Sequence, residues 1–562
     1  MGTAAQPSCN APQRDAAVGG RGWDGWLGAA FVAVVSALYG GSLMLARLDY
    51  QASADSHYHF AVAREIARGH FRSEAQGHLP WTILSQLPVD HYFGYHLLLA
   101  PFAALSDGIW GMKLATLTLF VAVPLAVYAF LRARGVRGAW AWAFLPLLFA
   151  NEDWRYLMLR GGHWLAVLSI LFLHVAFFVR SPRVRRVGIV LVSYVATLSY
   201  QGGIVLLPLH VGALLSLWLM RRDTVSRGQL LEPLLTTLGL ALGFTLNPYM
   251  TVHGATWQFL WFHVANMSMD PAGLYSAIRE FGPPPLRYLP YNPQYIVAPC
   301  CIVLAAGWVV VRASRGQRPA RTVAVLLGAA VTGVLMTARM LRIEEYAVPW
   351  ASLFLASAVP AWRPTLPWLR KLAEPLVAVT IALLLFVKWP DTFNLLGQHL
   401  PTAQYRGALP VLEAFAGRPV LNIAEADYTT LRWEDPDVVA VQGLSHYFLY
   451  PNRPVFDDVM LIRESPDQVV QLGALLRFYD RGVRLVAVQR RNRAAGLFNA
   501  FPEAFRFVFG SPLDGAAVKL GSSLYLMNRQ GLEAAIGRAK AEQSRGGRHE
   551  ARIRAPEVDS VP

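Results

Sequence analysis

The sequence predicts an α-helical polytopic membrane protein with about eleven transmembrane helices and a C-terminal soluble α/β domain. Three observations carry this. Hydrophobic residues make up 54% of the 562 and charged residues only 15%, less charge than a soluble globular chain keeps. The apolar residues gather in runs that recur from Trp26 to Trp389, each long enough or nearly long enough to cross a hydrocarbon core of about 30 Å. From about Thr402 the pattern changes to short β-rich runs alternating with helical stretches.

Residues 1–25 are polar and Gly/Ala-rich, as in a disordered cytoplasmic N-terminus. The run from Trp26 to Leu45 is too long for a cleaved signal segment and reads as a signal anchor. Spans are expected near 26–46, 94–131, 138–151, 164–180, 187–200, 204–220, 229–247, 295–312, 322–338, 347–361 and 372–390. The second is too long for one straight helix. Either it breaks at Ser106-Asp107-Gly108 into two helices, or its first part lies at the interface and only the second part crosses.

The arginines choose between one crossing and two. With a cytoplasmic N-terminus and a single crossing over 94–131, the clusters Arg132/Arg134/Arg137, Arg180/Arg183/Arg185/Arg186, Arg221/Arg222/Arg227, Arg312/Arg315/Arg318/Arg321 and Arg363/Arg370/Lys371 all fall inside, as the positive-inside rule requires. A double crossing would move them all outside. The odd number of spans then puts the C-terminal domain (402–530) on the outer face with loops 47–93, 152–163, 248–293 and 339–346. In a bacterial inner membrane that face is periplasmic. Topology also accounts for the net charge of +15, so nucleic acid is not an expected partner. The three cysteines, Cys9, Cys300 and Cys301, imply no disulfide framework.

The outer loops hold the unusual chemistry. In the first, Asp55 or Ser56 suits the N-cap of an amphipathic helix from about His57 to Arg68, ended by Gly69 and able to lie on the membrane surface. Asp55 with His57 and His59 nearby, and with His163 of the next loop, could bind a divalent metal cation such as Mg²⁺ or Mn²⁺, or Asp55 could serve as a general base; Asp55 could equally do no more than cap the helix. The loop ends in Asp90-His91-Tyr92-Phe93-Gly94-Tyr95-His96, which also fits an aromatic belt. The second loop packs Glu152, Asp153, Arg155, Arg160 and His163 between two spans, a costly placement that points to function as readily as to a solvated turn. Near 339–346, Arg339 and Arg342 stand three residues apart. They suit a lipid phosphate or diphosphate, or internal pairing with Glu344 and Glu345.

In the last domain, strands are expected at 419–423, 438–441, 483–488, 505–509 and 524–526, with a helix from Pro466 to Asp480. No glycine-rich phosphate loop, serine nucleophile elbow or Cys/His metal pattern occurs there. Residues 531–562 are charged and Gly/Ala-rich, and disorder is expected beyond a short helix.

The acidic residue after the first span, the helix behind it, the many spans and the C-terminal domain resemble the GT-C superfamily of membrane glycosyltransferases over roughly residues 26–390. Asp55-Ser56-His57-Tyr58-His59 is similar to the first-loop aspartate motif of oligosaccharyltransferase catalytic subunits. The overall plan resembles protein O-mannosyltransferases and lipid A aminoarabinose transferases. The resemblance implies a GT-C-like fold and an inverting transfer of a sugar from a polyprenyl-phosphate-linked donor to a saccharide, lipid or protein acceptor on the outer face. It implies that Asp55 engages the acceptor or a divalent metal, with Glu152, Asp153 or His163 assisting and Arg339 and Arg342 holding the carrier phosphate. The oligosaccharyltransferase Trp-Trp-Asp signature is absent, since Arg432-Trp433-Glu434-Asp435 is no equivalent; this argues against N-glycosylation of a sequon. Two other classes compete. A lipid-linked saccharide transporter or flippase would show polar residues through mid-span and related halves. A non-catalytic assembly factor would tolerate loss of Asp55.

Overall fold

The computed structural model describes residues 25–45, 54–70, 78–86, 90–106, 108–149, 157–248, 294–317, 319–339, 343–359, 379–390, 405, 407–435, 437–443, 449, 451–489, 494–510 and 522–553. Its principal helices before the C-terminal unit are α1 (Trp26–Leu45), α2 (Ala54–Ala67), α3 (Phe93–Leu105), α4 (Ile109–Ala133), α5 (Gly161–Phe178), α6 (Pro182–Ser199), α7 (Leu206–Arg221), α8 (Glu232–Thr245), α9 (Gln294–Ser314), α10 (Arg321–Arg339) and α11 (Glu344–Ala358). A further helix, α12, spans Val379–Pro390. Among the described residues five helices are long and apolar enough to cross a membrane: Trp26–Leu45, Ile109–Ala133, Gly161–Phe178, Gln201–Thr224 and Arg321–Ala338. Four further apolar helices are shorter.

The long run 94–131 breaks at Ser106–Gly108, one of the two arrangements its length allowed. Helix α3 has 13 residues, about 20 Å of rise, too short to span. Helix α4 has 25, which is enough. The bend is tight because Gly111 has no Cβ, leaving room for the Ser106 carbonyl and the Phe60 ring. Helix α1 lies along α4 through the stripe Gly28, Val32, Ser36, Gly40 and Leu43, spaced three or four apart as one helical face requires.

Helices α5, α6, α7, α8, α10 and α11 form a bundle in which α6 and α8 run parallel, as do α5 and α11, while α7 and α10 run antiparallel. At one end, Trp164 of α5 donates to Ser199 Oγ at the close of α6 (3.3 Å). At that same end Asn247, just past α8, donates to the Asp90 carbonyl (2.9 Å). Small residues bring α7 and α10 together: a Cβ on Gly328 would press on Ala213 and Ser216, and Ser216 Oγ donates to the Ala324 carbonyl (2.7 Å).

The C-terminal unit holds β1 (Val420–Asn422), α13 (Glu425–Glu434), α14 (Arg453–Glu464), α15 (Gln468–Asp480), β2 (Leu485–Gln489), β3 (Phe505–Gly510), β4 (Ser522–Met527) and α16 (Arg529–Ile553). The sheet order is β1-β2-β4-β3, with β1 and β2 parallel and the other pairs antiparallel. Asp467 caps α15 by accepting from the Val469 and Val470 amides. Two expectations need correction. Residues 438–441 form no strand; Ala440 makes one parallel bridge to Val420, and its amide goes to the His78 carbonyl instead (2.8 Å). Residues beyond 531 continue as one helix to Ile553, because Leu532, Ala535 and Ala539 share a buried face that packs toward α15.

The segment between α2 and α3 is thus stitched to the C-terminal unit at His78. Its Nδ1–H donates to the Val438 carbonyl (3.4 Å). Burial first, and the Arg432 guanidinium second, hold this imidazole below its usual value of 6.5. The unfolded junction therefore binds the proton more readily than the folded one. Stability contributed here is fully present above about pH 6.5 and is lost as pH falls through the lowered native value. The protection factor of the amides at residues 438–441, taken relative to their intrinsic exchange at each pH, is expected to fall between pH 7 and pH 5, and His78→Gln to flatten that dependence. Equal profiles for the two proteins would refute it.

Candidate active site

Helix α2 delivers the first-loop aspartate. It begins at Ala54, so Asp55 and Ser56 lie inside its first turn rather than at an N-cap. Ser56 Oγ is occupied elsewhere: it accepts from the Leu159 amide just before α5 (2.9 Å). Nor does α2 lie open on a surface. Ser56, His57 and the run His59–Ala63 are buried, with α3 packed on one side and α13 on the other. Trp433 of α13 covers the outer side, its ring edge-on to His57 (5.1 Å between centroids), tilted over Phe60 (6.4 Å) and under the Arg64 guanidinium (5.2 Å). Arg64 thus has its charge over an aromatic face.

The packing turns Asp55 toward Arg160. Arg160 Nη2 is 3.0 Å from Asp55 Oδ2, and its Nη1 is 3.1 Å from Glu345 Oε1 in the first turn of α11. One guanidinium thus bridges carboxylates from two distant helices. The three side chains differ in exposure: Arg160 is 5% exposed and Glu345 4%, while Asp55 is 33% exposed. Glu345 is the buried anchor, and Asp55 presents the open edge.

Gly161-Gly162 makes this approach possible. A side chain on Gly162 would overlap the Glu345 carboxylate, and one on Gly161 would crowd Tyr92 and Tyr200 at 3.3 Å. Those two rings stack with centroids 5.2 Å apart and planes 10° from parallel. Tyr95 is fully buried and its hydroxyl has no hydrogen-bond partner among the described residues. It lies within electrostatic range of Glu345 and Arg160.

Below Asp55, one turn on in α2, His59 enters a buried chain. Asp90 Oδ2 lies 2.7 Å from His96 Nδ1, and His96 Nε2 lies 2.9 Å from His59 Nδ1. A carboxylate only accepts, so the proton sits on His96 Nδ1; in the neutral ring Nε2 then accepts from His59 Nδ1–H. Asp90 is itself fixed by the Tyr92 amide (2.9 Å). The chain pins α2 to α3, and with it the direction of Asp55.

The expected site residues fare differently. Asp55 joins the ion-pair bridge. His57 goes to Trp433 and His59 to His96, so the set Asp55, His57, His59 and His163 does not converge on a point. No group of three His, Cys, Asp or Glu side chains among the described residues is placed to share a metal ion. His163 is fully buried in the first turn of α5. Glu152, Asp153 and Arg342 lie outside the described residues; Arg339 closes α10, and only its backbone is described. Sequence reasoning missed Arg160 and Glu345 as a bridge. The available signal was Arg160-Gly161-Gly162, a charge at a span boundary followed by two residues that admit close contact.

No protein-family model matches the chain, and no curated protein does. Solved structures do match. ArnT from Cupriavidus metallidurans in the apo state is 15% identical, with a TM-score of 0.53 over 90% of this chain and 98% of that one. The same ArnT bound to undecaprenyl phosphate is 14% identical, with a TM-score of 0.54 over the same shares. With its five long apolar helices, the chain is an integral membrane protein that has, over nine-tenths of its length, the fold of ArnT.

Proposed function

We propose that this protein is a membrane glycosyltransferase that moves a sugar from a polyprenyl-phosphate carrier to an acceptor on the outer face. The observation that carries the reading is the bridge Asp55–Arg160–Glu345. The first-loop aspartate stands half-open at a buried ion pair, on a fold shared with an ArnT that was solved with undecaprenyl phosphate bound. The arginine-rich loops support the face, since they assign the opposite side to the cytoplasm.

The chemistry follows from the charges. The acceptor hydroxyl or amine sits against the open edge of Asp55 and donates to it. As the acceptor attacks the anomeric carbon, its proton passes to the Asp55 carboxylate. The new bond to the acceptor forms while the bond from carbon to phosphate oxygen breaks, and the carrier leaves as polyprenyl phosphate. A single displacement of this kind inverts the anomeric centre. Arg160 cannot serve the leaving phosphate, being shared by two carboxylates. That task goes to Arg339 and Arg342, which precede Glu345 by six and three residues.

The test is Asp55→Asn in the purified full chain, with polyprenyl-phosphate-linked sugar as donor. The amide keeps the shape and loses the proton acceptor. Transfer is expected to fall by about 10²–10⁴-fold, with melting temperature and undecaprenyl phosphate binding near the parent values. Parent-level transfer would overturn the assignment.

A further inference from the structure

The helix bundle of α5, α6, α7, α8, α10 and α11 has a second polar end, remote from Asp55. Arg185 stands in the first turn of α6, Arg221 ends α7, Glu232 opens α8 and Arg321 opens α10. Arg185 and Ser199 lie on one helix about 21 Å apart by helical rise, so this cluster sits at the opposite membrane boundary. Glu232 is buried and takes Arg185 on one oxygen, Nε at 2.9 Å and Nη2 at 2.8 Å. Arg321 lies within electrostatic range of Arg185, Arg221 and Glu232. Arg221 Nη1 donates to the Pro319 carbonyl (3.5 Å). The Nε–H groups of Arg221 and Arg321 are buried and have no hydrogen-bond partner among the described residues. Three guanidinium groups against one carboxylate leave two net positive charges, with buried donors still unsatisfied. Unsatisfied buried donors carry a desolvation cost that an anion with several oxygens would relieve.

A second feature adjoins it. A cavity of about 290 Å³ is lined by Val211, Leu214, Leu215, Trp218, Leu230 and Pro233. Leu214 and Trp218 precede Arg221 by seven and three residues, on the same stripe of α7. Leu230 and Pro233 flank Glu232. All six lining residues are apolar, and Trp218 also stacks under Arg222 (5.2 Å), as tryptophan does at a membrane–water interface. We infer that this boundary binds one anionic phospholipid, its phosphate on Arg221 and Arg321 and an acyl chain in the groove beneath. Inorganic phosphate offers the same oxygens without the chain, and the groove distinguishes the two. The inference is independent of what the Asp55 site does.

Native mass spectrometry of the full chain, titrated separately with phosphatidylglycerol, phosphatidylcholine and inorganic phosphate, tests it. Phosphatidylglycerol is expected to bind at least about tenfold more tightly than phosphatidylcholine. Arg321→Gln and Arg221→Gln should each weaken it about tenfold, the loss of one charge-assisted hydrogen bond. Leu215→Trp fills the groove from a residue 51% exposed, so it spares folding even where an arginine variant does not, and it should weaken phosphatidylglycerol alone. Equal binding of the two lipids, or phosphatidylglycerol binding that Leu215→Trp leaves unchanged, would overturn the proposal. So would displacement of the lipid by equimolar inorganic phosphate.

Discussion

Arg160→Met is expected to abolish transfer and to lower stability by about 3–5 kcal/mol, the usual cost of stripping one partner from a buried ion pair. The loss concentrates at Glu345. With 4% exposure it cannot recover the missing cation from water, whereas Asp55, at 33%, can. Thermal melting of the purified chain beside a sugar-transfer assay separates the two effects. Adding Glu345→Gln to Arg160→Met removes the stranded charge and should recover most of the melting temperature while leaving transfer absent. Arg160→Lys should melt between the two, because an ammonium cannot hold two carboxylates in a fork geometry. A parent-like melting temperature for Arg160→Met would show that the bridge is not the anchor described.

Gly162→Ala is the second large effect, and it adds only a methyl group. That methyl would overlap the Glu345 carboxylate. The carboxylate cannot simply rotate away, since Arg160 holds it and α11 is buried along its length. Either α5 and α11 separate or the bridge breaks, and overpacking of this kind costs about 1–3 kcal/mol. Transfer should fall by at least about tenfold, a loss in kcat from a displaced Asp55. Gly41→Ala is the control. It is another glycine in an apolar helix, but its Cβ would meet nothing within 4 Å, and it should behave like the parent. A Gly162→Ala protein with parent kcat would mean that the position of Glu345 does not govern Asp55.

What the sequence revealed followed from how local each signal is. The apolar runs and the strands at 420–422, 485–489, 505–510 and 522–527 could be read because they depend on periodicity within a few residues. Asp55 was legible as a first-loop aspartate, since its place after one span and before one helix is a matter of spacing. Its partners were not. Arg160 and Glu345 are 185 residues apart, and nothing in either local pattern says that α5 and α11 meet. Glu345 looked like a partner for Arg339 and Arg342 because those are its neighbours in sequence. Asp90, His91 and His96 read as a polar rim to an aromatic belt, yet the turn before α3 sends Asp90 and His96 inward to His59. The exposed face expected of α2 failed for the same reason: Arg64 is covered by Trp433, a residue from the far end of the chain.

The His78 junction sets a timetable for this protein. His78 and Val438 are separated by 360 positions, which at ribosomal speeds takes roughly 20–70 s to synthesise. Throughout that interval α2 lacks Trp433 and the strand-like contact at Ala440. The groups that turn Asp55, which are Arg160, Glu345 and the His59–His96–Asp90 chain, all emerge earlier, so α2 is oriented before it is covered. The cover that Trp433 lays over His57, Phe60 and Arg64 is therefore the last part of this site to be assembled.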